Sequence, residues 1–189
     1  YMMFDQYLAE LDSFGAAIVI TADHGMKPKY NADASPAVIY IQDMLDQWLG
    51  KKAARVILPI TDPYVIHHGA LGSFATAYLP EGCDRASVIA RLTALPEMLA
   101  VLSKEHAVKQ YELPSDRIGD IVLISTENMT IGTSAHRHDL AALKEPLRSH
   151  GGLTEQEVPF IINRKIELPK APELRNFDAL YYALLAAAQ

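Results

Sequence analysis

Apolar and polar positions alternate along the chain with two periods, which predicts a mixture of helices and strands. Residues 3–13 carry apolar side chains at helical spacing, and no capping residue precedes them. Residues 16–22 form a continuous apolar run rich in β-branched side chains, which is typical of a buried strand that is central in a parallel sheet. The chain is therefore expected to begin with a helix that leads into a buried strand.

The rest of the chain predicts further helices and strands. Residues 37–48 combine a short strand with an amphipathic helix, and Asp84 is the expected N-cap of a helix over 84–94. Asn176 is the expected cap of an Ala/Leu-rich helix over 176–188. The remaining strands are expected at residues 55–60, 74–79, 98–102, 120–125 and 157–162. Together these elements indicate the α/β class.

Composition excludes several classes of function. Half of the 189 residues are apolar, which is ample for a hydrophobic core. The net charge is −6, and Lys and Arg are scattered, so no surface for nucleic acid is expected. No segment reaches a membrane-spanning length. The single cysteine, Cys83, excludes an internal disulfide and fits a reducing compartment, which predicts a cytoplasmic location.

The first buried strand ends in a carboxylate and an imidazole, Asp23 and His24, followed by Gly25. Burying these two groups costs free energy unless something pairs with them, and a divalent metal ion suits both. Gly25 allows the backbone to turn sharply or to approach a ligand. In the alternative interpretation, Asp23 caps the next segment in a turn. The tripeptide alone leaves both interpretations open.

A later segment favours the metal. His150 precedes two glycines, a polar stretch and a short apolar strand. Such a histidine is usually a loop residue, but together with the earlier pair it predicts a late metal ligand. Arg148, two residues before it, is a candidate for substrate binding because a guanidinium can pair with a carboxylate or phosphonate oxygen. The alternative, which is commoner for an arginine at such a place, is that it orders the loop. Lys27 and Lys29 follow the first pair, and either could help to hold an anion.

Two other histidine pairs carry weaker predictions. His136 and His138 alternate, so both can lie on one face of an extended segment, and they are candidate substrate-binding residues in a loop. A further metal site there is the less favoured interpretation. His67 and His68 are adjacent and would point to opposite faces of a strand, so a structural or surface role is preferred for them.

Several segments resemble the alkaline phosphatase superfamily. Residues 21–26, Thr-Ala-Asp-His-Gly-Met, and residues 149–160, Ser-His-Gly-Gly-Leu-Thr-Glu-Gln-Glu-Val-Pro-Phe, are similar to its metal-binding motifs. Residues 60–73 and 117–122 are similar to its phosphonate hydrolases. The resemblance therefore covers essentially the whole chain.

This resemblance implies an α/β fold with an alkaline phosphatase-like sheet, flanking helices and an inserted α+β cap. Residues 1–30 and 117–189 are expected to form the C-terminal part of the core, and residues 31–116 the cap. The polar, turn-forming stretches at 31–33 and 113–116 agree with these boundaries. A cap of this kind would restrict access to the site and exclude water.

The resemblance also implies a zinc-dependent hydrolase that cleaves the C–P bond of phosphonoacetate, a small anion, to give acetate and phosphate. Such enzymes hold two zinc ions that clamp the attacking and leaving oxygens. Asp23 and His24 match the ligand pair of the zinc on the nucleophile side, and His150 matches a late ligand of the other zinc. Enzymes of this type commonly pair, so a homodimer is expected.

The chain departs from the family pattern in its first part. The family's first Asp ligand, its nucleophilic threonine and an Asp-x-x-x-His pair precede the Asp-His-Gly motif, whereas only one helix precedes that motif here. Neither Thr21 nor Thr61 lies in a matching context. We therefore expect the C-terminal part of an enzyme, inactive alone, with half of the zinc ligands. The alternatives are a phosphodiesterase or phosphomutase of the same superfamily, or a non-catalytic module that keeps the fold.

Overall fold

A computed structural model describes residues 1–59, 71–167 and 174–188, and these form a mixed α/β structure, as predicted. The helices are α1 (Met2–Ser13), α2 (Ile41–Leu49), α3 (Arg85–Thr93), α4 (Lys104–Tyr111) and α5 (Ala179–Ala187). The strands are β1 (Val19–Ile20), β2 (Lys27–Pro28), β3 (Val38–Tyr40), β4 (Arg55–Ile57), β5 (Phe74–Tyr78), β6 (Met98–Ser103), β7 (Ile121–Ser125), β8 (Thr130–Gly132), β9 (Arg148–Ser149) and β10 (Ile161–Ile162).

The chain divides into two compact units. One comprises Tyr1–Gly25 with Glu157–Gln189, and the other comprises Met26–Gln156. The predicted core and cap boundaries stay a prediction. Among the described residues, no helix has the length and apolar character needed to cross a membrane.

The larger unit is built on an antiparallel sheet with the strand order β4-β5-β7-β6. Every residue of β7 is buried, because its apolar run is covered on both faces. Asp84 caps α3 as predicted, since its Oδ1 accepts a hydrogen bond from Ser87 N at 3.1 Å. The core side chains around this sheet include Ile41, Leu45, Val88, Leu92, Ile121, Leu123 and Ile131.

One short strand pair holds segments that flank the predicted metal ligands, and a second pair lies elsewhere in the larger unit. β2, which begins three residues after His24, pairs antiparallel with β9, which ends one residue before His150. β3 and β8 form a parallel pair. These ladders fix the backbone within the larger unit, and Lys29 N extends the first of them by donating to Leu147 O at 2.8 Å.

In the smaller unit, β1 pairs antiparallel with β10, and Val19 lies opposite Ile162. The ring of Phe160 meets the ring of Tyr182 on α5 edge-on, with centroids 5.6 Å apart. Arg164 donates to Asp12 Oδ1 at 2.8 Å and so ties α1 to the segment after β10. Both helices nevertheless leave large apolar side chains exposed, at Met2, Met3, Phe4, Tyr7, Leu11, Leu180, Tyr181 and Leu184.

Two predictions about local structure are wrong. The strand predicted over 16–22 is limited to the two residues of β1, which pair antiparallel and are only half-buried, because the described residues place one strand beside it. Asn176 does not cap the last helix. It begins a 3-10 turn, and Asp178 is the N-cap of α5, with its carboxylate accepting instead from Arg175 N at 2.9 Å.

Candidate metal centre

Asp23 and His24 lie in the loop that follows β1. The Asp23 side chain is 84% exposed and the His24 side chain is 37% exposed. Asp23 Oδ1 accepts a hydrogen bond from His24 N at 3.0 Å, which holds the carboxylate back along its own loop. The other oxygen, Oδ2, lies 3.6 Å from His24 Nε2. The two side chains therefore present one oxygen and one nitrogen to the same small volume.

The backbone selects the tautomer of His24. Its Nδ1 lies 3.0 Å from the carbonyl oxygen of Gly25. Because a carbonyl oxygen can only accept, Nδ1 carries the proton and donates. In the neutral ring this leaves the lone pair on Nε2, the atom that faces Asp23. A metal-binding histidine is commonly oriented in this way, through a hydrogen bond from its other nitrogen to a carbonyl group.

This arrangement fits zinc. Two ligands at about 2.0–2.2 Å from one tetrahedral zinc ion are separated by about 3.3–3.6 Å, and the Asp23 and His24 atoms are 3.6 Å apart. The donor set of carboxylate oxygen and imidazole nitrogen also suits this metal. The hydroxyl of Thr21, two residues earlier, is buried and has no hydrogen-bond partner among the described residues. A group bound at this loop would offer the Thr21 hydroxyl a hydrogen-bond partner.

His150 lies in the larger unit, directly after β9, and its side chain is half-buried. Its carbonyl oxygen accepts a hydrogen bond from Ser73 N at 2.9 Å. Ser149, immediately before it, donates from its hydroxyl to Leu71 O. Gly151 then takes a φ of +97°, a left-handed conformation that favours glycine. The backbone around His150 is therefore closely fixed on its N-terminal side.

The structure brings Asp23 and His24 together, and it does not assemble a larger donor set. Within residues 1–59, 71–167 and 174–188, no three His, Cys, Asp or Glu side chains are grouped closely enough to hold a metal ion. The predicted roles of Asp23, His24 and His150 as metal ligands stay predictions. His67 and His68 lie outside the described residues.

The candidate substrate-binding residues have different surroundings. Arg148 is exposed and donates from Nη2 to Met26 O at 3.2 Å, so part of its guanidinium orders the chain before β2. His136 is exposed in a 3-10 turn. His138 is buried, and its Nε2 lies 3.0 Å from Thr133 N and accepts a hydrogen bond from it. The His138 ring stacks beside Tyr40 with centroids 6.1 Å apart. Their role in substrate binding stays a prediction.

Of the two lysines that could help to hold an anion, Lys29 is already engaged in a buried ion pair. Lys29 is fully buried, and its Nζ lies 3.0 Å from Oε1 of Glu155, which is 1% exposed. Lys27 Nζ lies 2.7 Å from Glu127 Oε1 near the surface. The sequence suggested nothing about Glu155 beyond its place in the motif after His150, since 126 positions separate it from its partner.

Burial disfavours the charged form of both groups, but it determines the direction of the pKa shift only for Lys29. For Lys29, burial is the largest influence and lowers the pKa of the ammonium group, while the hydrogen bond and charge of Glu155 act in the opposite direction. For Glu155, burial alone would raise the pKa. Hydrogen bonds from Thr154, Lys29 and Gly152 outweigh that effect, so the pKa of Glu155 lies below its ordinary value of 4.5.

Comparison with known proteins agrees with the resemblance seen in the motifs. The family described as type I phosphodiesterase / nucleotide pyrophosphatase matches residues 3–153. The chain is 74% identical to phosphonoacetate hydrolase from Sinorhizobium meliloti 1021, solved in complex with phosphonoformate, with a TM-score of 0.92. The same enzyme solved in complex with phosphonoacetate gives 74% identity and a TM-score of 0.91.

Each of these matches covers 98% of this chain and 45% of the other, so the chain spans less than half of that enzyme's length. Murine ectonucleotide pyrophosphatase / phosphodiesterase 5 is 21% identical, with a TM-score of 0.51, over 82% of this chain and 36% of its own. At that identity the likeness shows the fold alone. The resemblance to phosphonate hydrolases of the superfamily is confirmed.

The contacts of His138 predict a structural role that His136 does not share. Replacing His138 by Ala removes the acceptor of Thr133 N–H and the ring beside Tyr40, and we expect the free energy of unfolding to fall by about 1–3 kcal/mol. His136→Ala, at an exposed position of the same turn, is the control and should change it by less than about 0.5 kcal/mol. Urea unfolding measures both, and equal losses would contradict the assignment.

The lowered pKa of Glu155 predicts acid sensitivity. Glu155 holds its proton less tightly in the folded chain than in the unfolded chain. Its contribution to the stability of the fold is therefore fully present above about pH 4.5, and it is lost as the pH falls through the lowered pKa of the folded state. Thermal melting between about pH 5 and pH 3 should therefore fall more steeply for the unaltered chain than for Lys29→Met with Glu155→Gln, which removes the carboxylate without leaving the buried ammonium unpaired. The other carboxylates are present in both proteins, so their effects on the melting temperature cancel when the two proteins are compared. An equal decline in both would show that Glu155 does not contribute.

Proposed function

Because the chain belongs to the type I phosphodiesterase / nucleotide pyrophosphatase family, we propose that it is part of a zinc-dependent hydrolase that cleaves the C–P bond of phosphonoacetate to acetate and phosphate. The observation that carries this proposal is the 74% identity to the Sinorhizobium meliloti enzyme over 98% of the chain. That enzyme was solved with phosphonoacetate and with phosphonoformate, two small anions that each combine a phosphonate with a carboxylate.

In this proposal Asp23 and His24 hold one zinc ion, and His150 contributes to a second. The fit of the first pair rests on the 3.6 Å separation of Oδ2 and Nε2 and on the hydrogen bond between Nδ1 and Gly25 O, which keeps Nε2 unprotonated in the neutral ring. When bound, the ions would supply positive charge to the transferring phosphoryl group and acidify the attacking hydroxyl.

Hydrogen bonds within the chain already restrict groups of the proposed zinc site before any ion binds. Asp23 Oδ1 is held by the amide of His24, which restricts rotation of the carboxylate. Arg148, through Met26 O, ties β9 to the residue before β2. Such fixed ligands reduce the entropy lost when a metal binds, since fewer rotamers have to be frozen.

We propose that the nucleophilic threonine and the remaining ligands come from the part of the enzyme that this chain does not cover. Two facts support this: the match spans 45% of the related enzyme, and α1 and α5 expose apolar side chains of the kind that normally face other parts of a fold. The chain alone would then be inactive. Of the three candidate substrate-binding residues, exposed His136 is the strongest, because His138 and Arg148 already contact other groups of the chain.

We also propose a cytoplasmic homodimer. The lone cysteine, Cys83, supports a reducing compartment. The pairing rests on the general prevalence of twofold homodimers among soluble oligomers.

A second candidate reaction is hydrolysis of a phosphodiester. The observation that favours it is the description of the matching family, which names phosphodiesterases. The two reactions share the same phosphoryl chemistry, and specificity depends on the pocket around the ions. An experiment on function therefore has to compare both substrates.

To test the proposal, the chain is joined to the part of the Sinorhizobium meliloti enzyme that it does not cover, and phosphate release from phosphonoacetate is measured with added zinc. We expect hydrolysis by the joined protein. Asp23→Ala, His24→Ala and His150→Ala should each lower the rate of phosphate release by at least about 100-fold. Substitutions of residues that only support the metal ligands usually cause smaller losses.

The control is His106→Ala, an exposed residue of α4, which should leave the rate unchanged. Bound zinc is counted in every variant by elemental analysis. Full activity in both Asp23→Ala and His150→Ala would refute the zinc assignment. Faster cleavage of bis(p-nitrophenyl) phosphate than of phosphonoacetate would favour the second candidate reaction.

A further inference from the structure

We infer that the buried ion pair of Lys29 and Glu155 positions the turn that carries His150, so that both are positioning residues for that ligand. The inference rests on the proposed role of His150 in binding zinc. All of the residues involved lie in the larger unit of the chain.

The pair is enclosed, and both oxygens of the carboxylate accept hydrogen bonds. Lys29 is 0% exposed and Glu155 is 1% exposed. The ammonium of Lys29 donates to Glu155 Oε1 at 3.0 Å and also to the carbonyl oxygen of Glu127. The hydroxyl of Thr154 donates to the same Oε1 at 2.6 Å. These contacts fix the orientation of the carboxylate, and with it the direction of its second oxygen.

That second oxygen holds the turn after His150. Glu155 Oε2 accepts a hydrogen bond from Gly152 N at 2.7 Å. The carboxylate packs so closely on Gly152 that a Cβ there would lie 2.8 Å from Oε2 and 2.8 Å from Ser73 Cβ. Only glycine can therefore accept this contact without displacing the carboxylate or Ser73. The charged group and the backbone of the turn are fitted to each other.

His150 is thus held from both sides. On the N-terminal side, Ser73 N donates to His150 O at 2.9 Å, and β9 pairs with β2. On the C-terminal side, two residues beyond His150, the anchor is the hydrogen bond between Gly152 and Glu155. Lys29 also joins the two sides, because its backbone N donates to Leu147 O at 2.8 Å while its side chain holds Glu155.

Stability alone explains such a pair poorly. Taking both charges out of water is unfavourable, and replacing a buried ion pair by apolar side chains of similar volume is often neutral or stabilising. A role in setting the geometry of an adjacent ligand accounts for a charged pair at this place. Removing groups that orient a metal ligand typically weakens metal binding by 10–100-fold.

Two double variants separate positioning from charge. Lys29→Met with Glu155→Gln removes both charges but keeps an amide oxygen able to accept from Gly152 N. Lys29→Met with Glu155→Met removes the charges and the acceptor at similar volume. The two proteins differ only in whether the turn after His150 keeps its anchor. Neither leaves an uncompensated charge in the core.

The first readout is hydrogen exchange at the Gly152 amide. The second is zinc affinity, obtained by NMR titration of the His150 ring signals in the joined protein described above, which restores the remaining ligands. We expect slow exchange in the unaltered chain, intermediate exchange in the Gln variant, whose acceptor lacks the orienting ammonium of Lys29, and fast exchange in the Met variant. Exchange as slow in the Gln variant as in the unaltered chain would remove Lys29 from the assignment. Zinc should bind the Met variant about 10–100-fold more weakly than the Gln variant. Thermal melting checks that both variants are folded.

The outcomes are distinguishable. Equal zinc affinity in the two folded variants would overturn the inference and leave the proposed function in place. If zinc does not perturb the His150 ring in the joined protein without substitutions, the proposed function fails and the inference fails with it. Should the Met variant not fold, Gly152 exchange in the unaltered chain decides, because fast exchange there would refute the anchor and slow exchange would support it.

Discussion

The buried contact between Lys29 and Glu155 is the constraint around which the larger unit's functional segments are arranged. It joins two segments that are 126 positions apart in sequence, and its carboxylate reaches the backbone of the turn after His150. A fully buried ammonium and carboxylate tolerate little displacement, because each would otherwise be an unpaired charge in the core. The backbone segments that they join therefore share one fixed geometry.

The proposed metal chemistry depends on two small features, of which only the first is built locally. Asp23 and His24 are set by hydrogen bonds to neighbouring backbone groups within their own loop. His150 is set by contacts with more distant segments, at Ser73 on one side and at Glu155 through Gly152 on the other. The first feature needs only a strand end and a glycine, whereas the second needs the packed interior of the larger unit. This difference makes the position of His150, the ligand proposed for the second zinc, more sensitive to remote substitutions.

Sequence reasoning succeeded where the causes are local. The buried run of β7 and the cap at Asp84 follow from side chains within a few residues of each other, and both are confirmed. It failed where the partner is distant. The pairing of β1 with β10 and the burial of Lys29 depend on segments more than a hundred positions away, which no local pattern records. Asn176 was misjudged because the preceding turn, and not the residue type alone, determines where α5 begins.

The central claim is that Asp23 and His24 are a zinc-binding pair, and diffraction from crystals grown with zinc, recorded on both sides of the zinc absorption edge, tests it most directly. The account predicts an anomalous peak about 2.0–2.2 Å from both Asp23 Oδ2 and His24 Nε2, with Nδ1 still donating to Gly25 O. Zinc bound elsewhere on the chain, with no peak between these two atoms, would contradict it.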